Sequence, residues 1–178
     1  AEHAYRHTMM RSAGSPAIAS ELANLVWMRR GDAAAAQAVL DAAFHTGGPP
    51  APLLLLKSSL FVAAGEEARA AALLEAASRQ MPGDLSILIG AVDTSLRTNR
   101  LDEAERYMAR AAAIDPKSRS VAQYGGIVDL AAGRPDAALA KLRGALATHP
   151  DDQSLWGWAA TAARAAGDPL YGELCDYD

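Results

Sequence analysis

The sequence predicts an all-α protein built from a repeated pair of helices, and three observations predict it. Alanine supplies 42 of the 178 residues while Val, Ile, Thr, Phe and Tyr are sparse, so helix formers dominate and strand formers are few. Pro82, Pro116 and Pro150 stand 34 residues apart. Gly31, Gly65, Asn99, Gly133 and Gly167 form a second column with the same spacing. A fixed period of this length marks a chain assembled from copies of one supersecondary unit.

Two alanine columns keep the period, Ala36, Ala70, Ala104, Ala138 and Ala43, Ala77, Ala111, Ala145, and a bulky apolar column runs Leu40, Leu74, Met108, Leu142. Four copies follow, at 17–50, 51–84, 85–118 and 119–152, each read as helix, short turn, helix, longer turn. In the first copy Ser15 before Pro16 opens a helix that Gly31 ends, and Ala36, Leu40 and Ala43 lie along the next. The second copy repeats the plan, with Gly65 between its helices and Pro82 after them. In the third, Asp84 is the N-cap before Leu85, and Asn99 takes the turn position as the one non-glycine tolerant of left-handed φ. In the fourth, Gly133 ends the first helix and Pro135 suits the first turn of the second. The alanines seven apart, Ala36 with Ala43 and Ala104 with Ala111, make a narrow stripe that a neighbouring backbone can approach.

The flanks read separately. Residues 1–16 are expected to form an amino-terminal helix or cap with Tyr5, Met9 and Met10 on one face. Residues 153–178 form a further first helix, opened by Asp152, carrying Trp156 and Trp158 and ended by Gly167, and then a tail. Leu170, Tyr171, Leu174 and Tyr177 fall at helical spacing after Pro169 and predict a short capping helix over Trp156.

Composition excludes several classes of function. The formal net charge is −4 and the pI about 5.5, and the Lys and Arg residues are scattered, so no basic stripe suits nucleic acid. Mean hydropathy is −0.02, and no apolar stretch approaches the roughly 20 residues that a bilayer requires. The one cysteine, Cys175, allows no internal disulfide, which fits a reducing, cytoplasmic setting. The chain begins at Ala1 without an initiator Met or signal peptide and reads as a processed or excised segment. No Gly-rich phosphate loop, zinc-binding His–Glu helix motif or nucleophile with a base is present, so no catalytic residue, metal or cofactor is assigned. His149–Pro150–Asp151 has the H-x-D form of an iron site but falls at a turn between copies, where Pro and acidic caps are expected. His3 and His7 are four apart without a third ligand, His45 is isolated, and Cys175 is read as a tail residue.

The period, the small residues on both helices, the turn glycine and the terminal proline together resemble an array of tetratricopeptide repeats. Gly65–Glu66–Glu67–Ala68, Asn99–Arg100–Leu101–Asp102–Glu103–Ala104 and Gly133–Arg134–Pro135–Asp136–Ala137–Ala138 are the matching turn segments. The family's early Trp-like site holds Ser20, Leu54, Leu88, Ala122 and Trp156, and its first-helix glycine is matched by Gly126, against Asn24, Ser58 and Val92 in the other copies. The resemblance implies a right-handed superhelix of four helix-turn-helix repeats plus a capping half repeat, with first helices lining a groove. Carried onto this sequence, the groove positions are Glu21, Leu25 and Met28 in the first copy, Leu55, Ser59 and Val62 in the second, Ile89, Asp93 and Leu96 in the third, and Gln123, Ile127 and Leu130 in the fourth. Tyr124 and Trp158 are candidate aromatic anchors. Leu25, Leu96 and Leu130 suit packing between hairpins equally well. The set holds no Lys, Arg or Asn, so the family's clamp on a terminal carboxylate is not expected. The implied partner is a protein or peptide: an apolar or basic segment, an amphipathic helix, or another part of the same polypeptide.

The end of the chain, Gly167–Asp168–Pro169–Leu170–Tyr171–Gly172–Glu173–Leu174–Cys175–Asp176–Tyr177–Asp178, also resembles the junction between such repeats and an oxygenase dependent on iron and 2-oxoglutarate in some bacterial proteins. Two readings follow. The chain is a non-catalytic protein-interaction module, or it is the amino-terminal region of a larger enzyme, of that oxygenase type or a glycosyl- or sulfotransferase, with catalysis beyond Asp178.

Overall fold

The computed structural model describes residues 15–43 and 49–168, and every described element is a helix or a turn. The helices are α1 Pro16–Arg30, α2 Ala33–Ala43, α3 Ala51–Ala63, α4 Glu67–Gln80, α5 Leu85–Arg97, α6 Leu101–Ile114, α7 Arg119–Ala131, α8 Pro135–Leu146 and α9 Gln153–Ala166. They form four helix pairs and a ninth helix, the all-α repeat fold that the period predicts. The expected helix around Tyr5, Met9 and Met10, the His3 and His7 pair, His45, and the tail from Pro169 with Leu170, Tyr171, Leu174, Cys175 and Tyr177 lie outside the described residues.

The turn column takes the conformation that its composition demands. Gly31, Gly65, Gly133 and Gly167 have φ of 62°, 74°, 71° and 71°, and Asn99 has φ 56°. At Asn99 the amide three residues past the helix end closes the turn, Arg100 N–H donating to Ser95 O at 2.8 Å while Asn99 N–H donates to Leu96 O at 3.1 Å. The same pair of bonds recurs as Glu66 to Phe61 and Gly65 to Val62, and as Arg134 to Asp129 and Gly133 to Leu130. Carbonyls that a helix end would leave unpaired are thereby satisfied, and the chain reverses within three residues. Caps at the other ends are unequal. Asp84 accepts from Ile87 N–H and Asp152 from Leu155 N–H, whereas Ser15 makes no side-chain cap bond.

The period-bearing columns are the packed ones. Ala36, Ala70, Ala104 and Ala138 are fully buried, as are Leu40 and Leu142. Burying a Leu of this kind stabilises a fold by about 1.5–3 kcal/mol, and the alanines let helices cross closely enough for the larger side chains to meet.

The chain divides into two compact units, Ala1–Ile87 and Leu88–Asp178. In the first, Leu22 and Val26 of α1, Ala36 and Leu40 of α2, and Leu53 and Leu60 of α3 form one core. Lys57 of α3 pairs with Asp41 of α2 beside it. In the second, Leu139, Leu142 and Leu146 of α8 pack on Leu155, Ala159, Ala162 and Ala163 of α9. There Asp129 of α7, 4% exposed, is held by Arg134 at 2.9 Å and by Lys141 of α8 at 2.5 Å, and Arg134 reaches Glu105 of α6 at 2.7 Å. One buried carboxylate thus ties α7 to α8 and, through Arg134, to α6.

Candidate functional site

In the unit Leu88–Asp178 the first helices of successive repeats are joined through polar side chains. The Tyr124 hydroxyl of α7 donates to Asp93 Oδ1 of α5 at 3.4 Å, and Gln123 Nε2 of α7 donates to Ser154 Oγ of α9 at 3.1 Å. Burial and the Asp93 carboxylate both push the Tyr124 phenol above its ordinary value, so it stays protonated and available as a donor. Asp93 also faces Arg97, 3.8 Å away on the same helix. Ile89, Asp93, Leu96, Gln123, Tyr124, Ile127 and Leu130 are all partly exposed, while Leu88, Ala91 and Val92 on α5 and Val121, Gly126 and Val128 on α7 are buried. Leu130 does both things that its sequence context allows, packing against the α8–α9 core while keeping some exposure. Trp158 packs against the same core. Trp156 uses its indole N–H to hold Pro150 O at 2.6 Å.

In the unit Ala1–Ile87 the expected positions are likewise open. Glu21 and Ser59 are exposed, Leu25, Leu55 and Val62 partly so, and Met28 reaches 84%. The Ser59 hydroxyl is spent locally, donating to Leu55 O at 3.1 Å.

The His149–Pro150–Asp151 turn has a structural use. His149 Nδ1 lies 2.8 Å from Thr148 Oγ1 and 3.3 Å from Ala145 O in the last turn of α8. Among the described residues no group of three or more His, Cys, Asp or Glu side chains could hold a metal ion, and no helix is long and apolar enough to cross a membrane.

A second feature was not anticipated. A cleft of about 580 Å³ opens between α6, α7 and α8, with Met108, Val121 and Ala122 in its apolar lining and Lys117, Arg119, Lys141 and His149 among its polar groups. Sequence reasoning found only scattered cations because Lys117 and Lys141 are 24 residues apart. The Lys117–Ser118–Arg119 cluster before a first helix was the available signal.

Two models of the tetratricopeptide repeat match the chain, over residues 61–124 and 125–169. The chain belongs to the tetratricopeptide repeat family. Solved structures carry the same fold. A tetratricopeptide repeat protein from Parabacteroides merdae is 17% identical with a TM-score of 0.75, over 98% of this chain and 69% of that one. A thermophilic family member from Thermus thermophilus is 19% identical with a TM-score of 0.73, over 90% and 88%. YrrB, described as a repeat protein with an unusual peptide-binding site, is 15% identical with a TM-score of 0.61, over 98% and 90%. A search of curated proteins finds no match. Tetratricopeptide repeats generally mediate protein or peptide interactions and are generally non-catalytic, and the fold of this chain is consistent with such a module.

Proposed function

We propose that this tetratricopeptide repeat chain is a non-catalytic interaction module that binds an apolar or basic peptide, or an amphipathic helix, along the first-helix face of the unit Leu88–Asp178. The observation that supports the reading is the alternation on α5 and α7: Ile89, Asp93, Leu96, Gln123, Tyr124, Ile127 and Leu130 keep solvent access while their neighbours are buried. Ile89, Leu96, Ile127 and Leu130 offer apolar contact, Tyr124 a rigid amphipathic ring, and Asp93 a carboxylate for a Lys or Arg of the partner. Glu21, Leu25, Met28, Leu55, Ser59 and Val62 offer a comparable mixture in the unit Ala1–Ile87. YrrB, a relative in fold, is described as binding peptide.

The reading is tested by titrating a fluorescein-labelled amphipathic helical peptide of leucine and lysine into the full chain. Saturable binding that Asp93→Lys and Ile127→Glu each weaken by about tenfold, with helical content unchanged by circular dichroism, supports it. Binding indifferent to both changes, or no saturation at millimolar peptide, overturns it.

A further inference from the structure

The face of α7 turned away from the proposed groove lines the second concavity. At about 3.6 residues per turn, Val121, Ala122 and Gly125 fall on the opposite side of α7 from Gln123, Tyr124, Ile127 and Leu130. The cleft there holds about 580 Å³, inside the range of roughly 300–1,000 Å³ usual for ligand pockets. Small residues make the room. A Cβ on Gly144 would meet nothing within 4 Å, and one on Gly125 would meet only the Lys141 side chain, at 3.5 Å to Cδ and 3.9 Å to Nζ.

Its lining side chains include cations. Lys117, Arg119 and Lys141 line it together with His149, and no carboxylate does, although the chain carries a net −4. Two of these cations are already paired, Arg119 with Asp152 and Lys141 with Asp129, which Arg134 also holds. No carboxylate among the described residues pairs with the Lys117 ammonium, which projects from the α6–α7 turn. An apolar floor beneath a cationic rim fits an occupant that is apolar on one side and acidic on the other.

We infer that this cleft between α6, α7 and α8 is a second binding site, for a short acidic peptide segment that seats an apolar side chain on Met108, Val121 and Ala122 and presents a carboxylate to Lys117, beside the paired Arg119 and Lys141. The site needs no residue of the groove, so an array of this kind can hold two segments of opposite charge at once.

The test uses the full chain and a fluorescein-labelled hexapeptide alternating glutamate and leucine, with binding read by polarisation and mapped by backbone amide shifts. Gly144→Leu starts from a Cβ in open space, projects its side chain into the cleft and replaces a helical glycine by a better helix former, so it keeps the fold while abolishing binding. Lys117→Glu weakens binding by about tenfold. Arg79→Glu, the same change of charge at an exposed position of α4, leaves affinity unaltered. Shifts gather on α8 and the α6–α7 turn. The inference is overturned by binding that survives Gly144→Leu, by equal losses in Lys117→Glu and Arg79→Glu, by shifts gathered at Ile89 and Ile127, by saturation with octanoate and not with the peptide, or by no saturation at millimolar peptide. The leucine and lysine peptide tests the groove separately, so either site can fail alone.

Discussion

Leu142 fills the space that a side chain on Gly126 would need: a Cβ built on the glycine stands 2.8 Å from Leu142 Cγ and 2.9 Å from its Cδ1. Both residues are buried, so neither α7 nor α8 can give way toward solvent at that crossing. Gly126→Ala is therefore expected to destabilise the chain by about 1–3 kcal/mol despite the helix propensity that alanine adds. Gly144→Ala, on the open face of α8, should do the reverse and add up to about 1 kcal/mol. Urea unfolding of the two variants checks the opposite signs. Equal shifts would mean that the crossing is looser than the geometry requires.

Ala104 and Ala138 occupy equivalent buried positions on α6 and α8 with no exposed surface. Ala104→Leu and Ala138→Leu should each cost about 1–3 kcal/mol by overpacking. Thermal melts of the two single variants read this directly. A variant melting with the parent would show that its position has room the packing denies.

Asp152 is held down to about 2, from an ordinary value of 3.8, first by the hydrogen bond from Arg119 and then by the amide of Leu155. The folded carboxyl is the stronger acid, so folding favours its ionised form. That stabilisation is complete above pH about 4 and is lost as the pH falls to about 2. Arg119→Ala should move the acid side of the stability profile to higher pH and leave the slope from pH 8 to about 6 unchanged. Melting temperatures measured across the acid range test it, and identical acid limbs for parent and variant would count against the pair.

Asn99 is the one described non-glycine with positive φ, at 56°. Asn99→Ala should cost up to about 1 kcal/mol, because asparagine tolerates left-handed φ better than alanine does. Asn99→Gly should be neutral or mildly stabilising. Equilibrium denaturation of the pair separates the effects, and an alanine variant as stable as the glycine one would contradict the strain argument.

Most of the architecture was legible because it is written at a fixed spacing. The turn residues had to be glycine or asparagine, and the fully buried positions of the second helices had to be small at Ala104 and Ala138 and large at Leu142, so the 34-residue columns report backbone geometry and packing directly. The cleft was not legible for the complementary reason. Lys117, Arg119 and Lys141 come from a turn and two helices, and nothing periodic relates them. The ion network at Asp129 escaped in the same way: its first-helix position gave no hint that Arg134 and Lys141 would close over it. Leu130 stayed ambiguous because a residue at the margin of a core touches both the core and solvent.

The equivalent burial of Ala104 and Ala138, and of Met108 and Leu142, one period apart bears on how such a chain can change length. Two helix pairs in the unit Leu88–Asp178 present the same buried pattern at the same interval, so a duplicated stretch of one period would arrive with its own packing already specified. Growth or loss of whole repeats is then a smaller mutational step than redesigning a single crossing such as Gly126 on Leu142. Recombination in units of one period, followed by drift at exposed positions, would diversify the binding faces while the buried columns stay as they are.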